Sequence, residues 1–189
     1  MTSSMTPSCC HDPEHDHEAA GSKPEVTLRP TVPEDSMLIF ELYASARVEE
    51  LARTGWATPQ QRSFLRLQAQ NREAHLGRTH HHLDSQTVCI DGFAAGRLLV
   101  DRDEHRFQVV DICLLPAYRN QGIGTGLLLD LLDQASLQQV VVCVDVLKDG
   151  RELGLCERLG FGERLDLDTR WRLTWRPALR PGIQPRRHG

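Results

Sequence analysis

No apolar run in this 189-residue chain approaches the length of a bilayer-crossing helix, and no apolar signal core follows the first methionine. Neither membrane insertion nor secretion is expected, and the cytoplasm is the expected compartment. Strong charge is missing too: a net charge of −4 gives no global attraction to nucleic acid. The six cysteines show no disulfide spacing. Cys89, Cys113 and Cys143 fall inside expected buried strands, so reduced thiols are the expected state. A phosphate loop ending in Gly-Lys-Ser/Thr is absent, and the GxG at Gly122 lacks the third glycine of the dinucleotide fingerprint, because position 127 is Leu. What is present suits one folded domain: 40% apolar and 25% charged residues, over a length that leaves some tail to spare.

The chemistry that remains gathers in Val109–Ala135. Val109 to Leu115 is rich in β-branched and aliphatic residues, a strand pattern stopped by Pro116, which has no N–H for a sheet ladder. Arg119-Asn120-Gln121-Gly122-Ile123-Gly124 follows, and a helical pattern runs from Thr125 to Ala135. Strand, Gly-rich turn and helix N-terminus together aim backbone N–H groups and a partial positive charge at one point. A pyrophosphate suits that point, although a GxG after a strand also serves as a plain tight turn.

Residues 1–24 are polar, with little to bury, and read as a disordered tail. The run Cys9-Cys10-His11-Asp12-Pro13-Glu14-His15-Asp16-His17 is dense in metal-ligand types. Its adjacent cysteines, with no second ligand pair at loop distance, match no closed site, so a solvated tail and no metal centre are expected. The folded domain spans residues 25–176. A strand at Val26–Pro30 leads to Thr31 and Glu34 in capping-box order, then to apolar residues at helical spacing up to Arg53, broken at Gly55. A second helix takes Thr58 as its cap and Pro59 at its first position and runs to about Leu76. It is only partly apolar, which places it over a sheet edge or a cleft. Trp56, beside the helix break, is either a pocket wall or the cap of a core, and His80-His81-His82 reads as a solvated loop. Thr87–Ile90 and Phe93–Val100 form a hairpin about Asp91-Gly92, and Arg106–Leu115 continues the meander. Val140–Val146 reads as a strand buried on both faces, and Arg151–Leu159 as a helix ended by Gly160. A last strand pair turns near Asp166–Asp168 and returns through Trp171–Trp175. Residues 177–189 form a basic tail rich in Pro and Arg.

This order of elements, with three local motifs, resembles the GNAT acetyltransferases. Arg119-x-x-Gly122-x-Gly124 resembles motif A of that family, and Leu155-Cys156-Glu157-Arg158-Leu159-Gly160-Phe161 resembles motif B. Arg29-Pro30-Thr31 with Asp35 resembles the usual ending of the first strand. The resemblance covers about Val26 to Trp175. It implies an α/β (α+β) fold: a mixed, mostly antiparallel central sheet of about seven strands, flanked by about four helices and splayed between the fourth and fifth strands. It also implies acetyl-CoA as co-substrate. Ile112, Cys113 and Leu114 would run along the pantetheine arm, with Arg119, Asn120, Gln121, Gly122, Ile123, Gly124 and Thr125 at the pyrophosphate. The N–H of Leu114 becomes the expected oxyanion donor.

Two departures bear on the chemistry. Cys156 stands where motif B usually carries the Tyr that protonates the departing thiolate, so Cys156 is a candidate acid, a candidate acyl carrier or a packing residue. Asp149-Gly150 occupies the place of the Asn that usually opens motif B, an acid where an amide donor is normal. Asp111 and Asp145 are candidate bases, with Glu104 and His105 behind them, and strand alternation alone does not assign their faces. The expected activity is transfer of an acetyl group from acetyl-CoA to a primary amine of a small molecule or peptide by direct attack. The alternative is a non-catalytic acyl-CoA-binding regulatory module of the same fold. No nucleic-acid or membrane partner is expected. Acceptor identity, acyl-chain length and homodimer formation stay open.

Overall fold

A computed structural model describes residues 23–48, 51, 55 and 57–178. The strands are β1 Val26–Pro30, β2 Leu83–Ile90, β3 Phe93–Arg102, β4 Arg106–Leu114, β5 Val141–Leu147, β6 Glu163–Leu167 and β7 Arg170–Trp175. They form a seven-stranded sheet in the order β1-β2-β3-β4-β5-β7-β6. Every neighbouring pair is antiparallel except β4 and β5. Among the described residues, four α-helices flank it: α1 Ser36–Ser45, α2 Thr58–Thr79, α3 Ile123–Gln138 and α4 Arg151–Arg158. No described helix is long and apolar enough to cross a membrane. The run Cys9 to His17, residues 49, 50 and 52–54, Trp56 and nearly all of the basic C-terminal tail lie outside the described residues.

Strand register assigns the two faces of the sheet. Leu98, Val100, Phe107, Val109 and Ile112 share one face with Val142 and Leu173, and they pack against Leu127, Leu128 and Leu131 of α3 and Cys156 of α4. Arg97, Asp111 and Cys113 take the other face, where Arg72 and Glu73 of α2 meet Asp111 and Arg97. A bulge separates the two sets: Leu99 pairs with Asp111 and Val100 with Val109, which leaves Val110 as the extra residue and bends β4.

That bend precedes the parting of β4 from β5. The two strands pair from Arg106 and Val141 only as far as Val109 and Val144, and beyond those residues no ladder joins them. A parallel pair requires a crossover connection, and α3 supplies it, so the Gly-rich turn lies at the mouth of the gap.

Several boundaries differ from the sequence expectation for local reasons. β2 begins at Leu83 rather than Thr87, because Leu83–Gln86 pair with β3. The cap of α2 sits one residue earlier than expected: Ala57 takes that position, and Gln60 Oε1 accepts its N–H at 3.2 Å. No Thr31–Glu34 box forms. Pro33–Asp35 is a 3-10 turn, in which the Asp35 carboxylate accepts the Val32 N–H at 3.0 Å. α3 starts at Ile123; within Val140–Val146 no residue is exposed, Val140, Val142, Cys143 and Val146 being buried and Val141, Val144 and Asp145 half-buried. The described cysteines are free thiols.

Asp35 fastens β1 to β2. Its carboxylate accepts two bonds from Arg29, at 2.8 and 2.7 Å, and one from the Thr87 hydroxyl at 2.8 Å. The Arg29 guanidinium, opposed by burial and helped by the Val32 N–H and the Thr87 hydroxyl, holds the carboxyl well below the usual carboxylate range. This stabilisation is complete above the ordinary aspartate value of 3.8 and is lost as the pH falls below it. Asp35→Ala is expected to destabilise the protein by about 2–3 kcal/mol at neutral pH. The loss should shrink toward about pH 2, read from urea melts, and an equal loss at both pH values would contradict the assignment.

Candidate functional site

Two hollows meet at the gap between β4 and β5. The larger, about 380 Å³, is walled by Val109–Ile112, by Val144–Leu147, by Gly124 and Leu128 of α3, and by Leu155 and Cys156 of α4. The smaller, about 180 Å³, opens on the opposite face and is lined by Tyr43, Arg47, Arg72, Arg97 and Cys113 among others. Asp111 lines both.

Backbone geometry fixes what the larger hollow can do. The Leu115 N–H donates to the Ala95 carbonyl at 2.9 Å, so strand alternation turns the Leu114 N–H away from β3, toward the side that β5 has left. Gly96 makes room for this arrangement: a Cβ there would lie 2.5 Å from Leu114 Cδ2 and 2.6 Å from the Cys113 carbonyl oxygen. Asn120, at φ 61°, and Gly122, at φ 79°, turn the chain through the left-handed region into α3. The first helical bond runs from the Gly126 N–H to the Gly122 carbonyl at 2.9 Å. The N–H groups of Ile123, Gly124 and Thr125 therefore have no helical acceptor and stand at the positive end of the helix. A Cβ on Gly124 would meet nothing within 4 Å, so the space beside this turn is open.

The side chains of the same segment are committed to the protein. Arg119 Nε donates to the Leu114 carbonyl at 2.8 Å and its Nη2 to the Ser45 hydroxyl at 2.7 Å, which braces the end of β4 against α1. Gln121 Nε2 donates to the Ala117 carbonyl at 2.7 Å, and Ile123 is buried in the core beneath α3. Thr125 is half-buried in the first turn. What this loop offers a ligand is mainly backbone.

Among the titratable groups, Asp111 accepts a hydrogen bond from Arg72 and another from the Cys113 thiol at 3.1 Å. Burial, reinforced by the Asp111 charge, pushes the Cys113 thiol up to about 12. Ile112 lines the larger hollow while Cys113 lines the smaller, as alternation requires. Asp145 lines the larger hollow and is held by Arg172 through two bonds of 2.7 and 2.8 Å. Cys156 is 2% exposed, and burial, followed by the Glu152 charge, pushes its thiol up to about 11. Glu104 and His105 lie in the turn before β4, at the opposite end of that strand from the gap. The histidine triplet is in a loop as expected, but His80 Nδ1 lies 2.9 Å from Asp101, which ties the loop to β3.

Sequence reasoning missed Ser45, Arg47, Arg72, Glu73 and Arg97. One signal was available. Arg97 and Asp111 are polar residues inside otherwise apolar strands, and a partly polar helix of the kind seen at Thr58–Leu76 can supply their partners.

The fold is similar to that of several solved acetyltransferases. PaiA N-acetyltransferase from Thermoplasma acidophilum, solved in complex with coenzyme A, superposes with a TM-score of 0.59 at 14% identity, covering 80% of this chain and 99% of its own. The ribosomal-protein-S18-alanine N-acetyltransferase of Escherichia coli gives 0.58 at 15% identity, over 85% of this chain and 99% of its own. A GNAT family acetyltransferase from Elizabethkingia anophelis with acetyl-CoA bound gives 0.50 at 15% identity, over 80% and 97%. At such identities the likeness is one of fold. No curated protein matches the chain in sequence. The sequence model of the Acetyltransferase (GNAT) family, however, matches residues 45–161. That stretch is more than half of the chain and includes the gap between β4 and β5, the Gly-rich turn and Cys156, so the chain belongs to the GNAT acetyltransferase family.

Proposed function

We propose that this protein transfers an acetyl group from acetyl-CoA to a primary amine of a small molecule or peptide by direct attack. The observation that carries this reading is the Leu114 N–H, turned into a gap whose mouth is the N-terminus of α3. The residues fit the co-substrate. The N–H groups of Ile123, Gly124 and Thr125 suit a pyrophosphate, and the open edge of β4 from Ile112 to Leu114 suits the amides of the pantetheine arm. Bound there, acetyl-CoA supplies an activated acyl thioester.

The amine enters from the smaller hollow, and its nitrogen attacks the thioester carbonyl carbon where the two hollows meet at Asp111. The Leu114 N–H donates to the carbonyl oxygen as negative charge gathers on it. The C–S bond breaks and the sulfur leaves as a thiolate. Asp111 is placed to accept the proton that the nitrogen sheds. Orientation of the two reactants supplies much of the remaining rate.

Cys156 is buried in the core cluster and holds its proton more firmly than an ordinary thiol, so at neutral pH it is not a ready nucleophile. Packing is its role here, and the thiolate takes its proton from water. Cys156→Ala is expected to keep kcat within about threefold, whereas a fall of about 100-fold would make the thiol the proton donor. The reading as a whole is tested by release of free CoA thiol across a panel of amino acids, polyamines, aminoglycosides and peptide N-termini. Tight acetyl-CoA binding without thiol release from any of them would favour the regulatory module instead.

A further inference from the structure

The smaller hollow carries more positive charge than its neighbouring acids neutralise. Three guanidinium groups line it, those of Arg47, Arg72 and Arg97. Arg72 is paired with Asp111. Arg97 is paired with Glu73 at 2.8 Å and donates to the Ser85 hydroxyl at 3.1 Å. Among the described residues Arg47 has no acid partner. Its Nη1 donates to the Tyr43 carbonyl at 3.3 Å, and its guanidinium lies over the Tyr43 ring, 3.7 Å from the centroid.

Arg47 is therefore a positioned cation with spare donors. The Tyr43 hydroxyl donates to Gln68 of α2 at 3.1 Å, which fixes the ring on which the guanidinium rests. Stacking leaves the rest of the planar donor fork free, and that fork matches a carboxylate through two parallel bonds. Holding the cation in place beforehand lowers the ordering cost of binding. A polycationic acceptor is disfavoured in this hollow, because Asp111 is the one acid among its lining residues and faces three guanidinium groups. The volume, about 180 Å³, admits a small molecule.

We infer that the acceptor is a small amine bearing a carboxylate, an α-amino acid or a close relative, with its carboxylate on Arg47 and its amino nitrogen toward Asp111. This rests on the acetyl-transfer reading and names the acceptor class for the same site. The bond made is N–C, the bond broken is C–S, and the product is an N-acetyl amino acid with free CoA.

The test compares thiol release for each of the common L-amino acids with that for its carboxamide and its decarboxylated amine, which keep the side chain and remove the anion. The best acid is expected to exceed its matched amide and amine in kcat/KM by about tenfold or more. Arg47→Gln should raise the KM for that acid by about tenfold and shrink the acid-to-amide ratio, and Arg47→Lys, which keeps the charge without the fork, should restore part of both. The ratio is insensitive to a general loss of folded enzyme. Amides or amines used as well as acids, turnover of peptides alone, or an unchanged ratio in Arg47→Gln would each overturn the inference. So would a panel in which no acid is acetylated. In that case a rise in unfolding temperature with acetyl-CoA, measured on the same preparation, shows separately whether the co-substrate reading stands.

Discussion

Gly124→Asp is expected to abolish acetyl-CoA binding while leaving the protein folded. The residue sits in the first turn of α3, and a Cβ there meets nothing within 4 Å, so the side chain has space in the unliganded protein. An acid at this end of a helix is mildly favourable, by about 0.3–1 kcal/mol. The same carboxylate would stand where the pyrophosphate is proposed to meet the N–H groups of Ile123–Thr125, with like charge against like charge. The dissociation constant should rise by about 100-fold or more. Titration calorimetry with acetyl-CoA, alongside a thermal melt of the free protein, checks both halves. Unchanged affinity would move the phosphates away from α3.

Asp111→Asn should lower kcat by about 100-fold, the range expected for loss of a proton acceptor. The amide keeps a hydrogen-bond acceptor for Arg72, so the fold loses less than in an alanine variant. Asp145→Asn is the matched comparison. Asp145 also lines the larger hollow, but its carboxylate is occupied by both bonds from Arg172 and it does not line the smaller one. Its loss should weaken the β5–β7 pairing and leave kcat within about threefold. Steady-state kinetics and thermal melts on both variants decide the matter. Equal falls in kcat, or a fall confined to Asp145→Asn, would remove Asp111 from proton transfer.

The parts of the fold written in short, local signals were legible. Asp91-Gly92 marks its hairpin because both residues take positive φ, 50° and 83°, which that dipeptide tolerates. Gly122 marks the turn into α3 for the same reason, at φ 79°. The gap between β4 and β5 was reached only through family resemblance, because no residue in the apolar run Val140–Val146 announces where the strands separate. The faces of Asp111 were hidden by the bulge. Counting by twos from Phe107 and Val109 puts Asp111 on their side, and the extra residue Val110 puts it on the side of α2 instead. Arg47, Arg72 and Arg97 escaped notice because each is an ordinary polar residue until the fold brings the three together in one hollow.

Thermal unfolding with and without saturating acetyl-CoA tests the proposed site most directly, because every later step depends on that molecule reaching the gap. At about 100 times the dissociation constant, binding adds roughly 2.7 kcal/mol to the folded state. For a chain of this length the expected rise in Tm is about 5–10 °C, absent in Gly124→Asp. A wild-type melt that does not move at any acetyl-CoA concentration would contradict the proposed co-substrate site, and with it the transfer reaction built upon it.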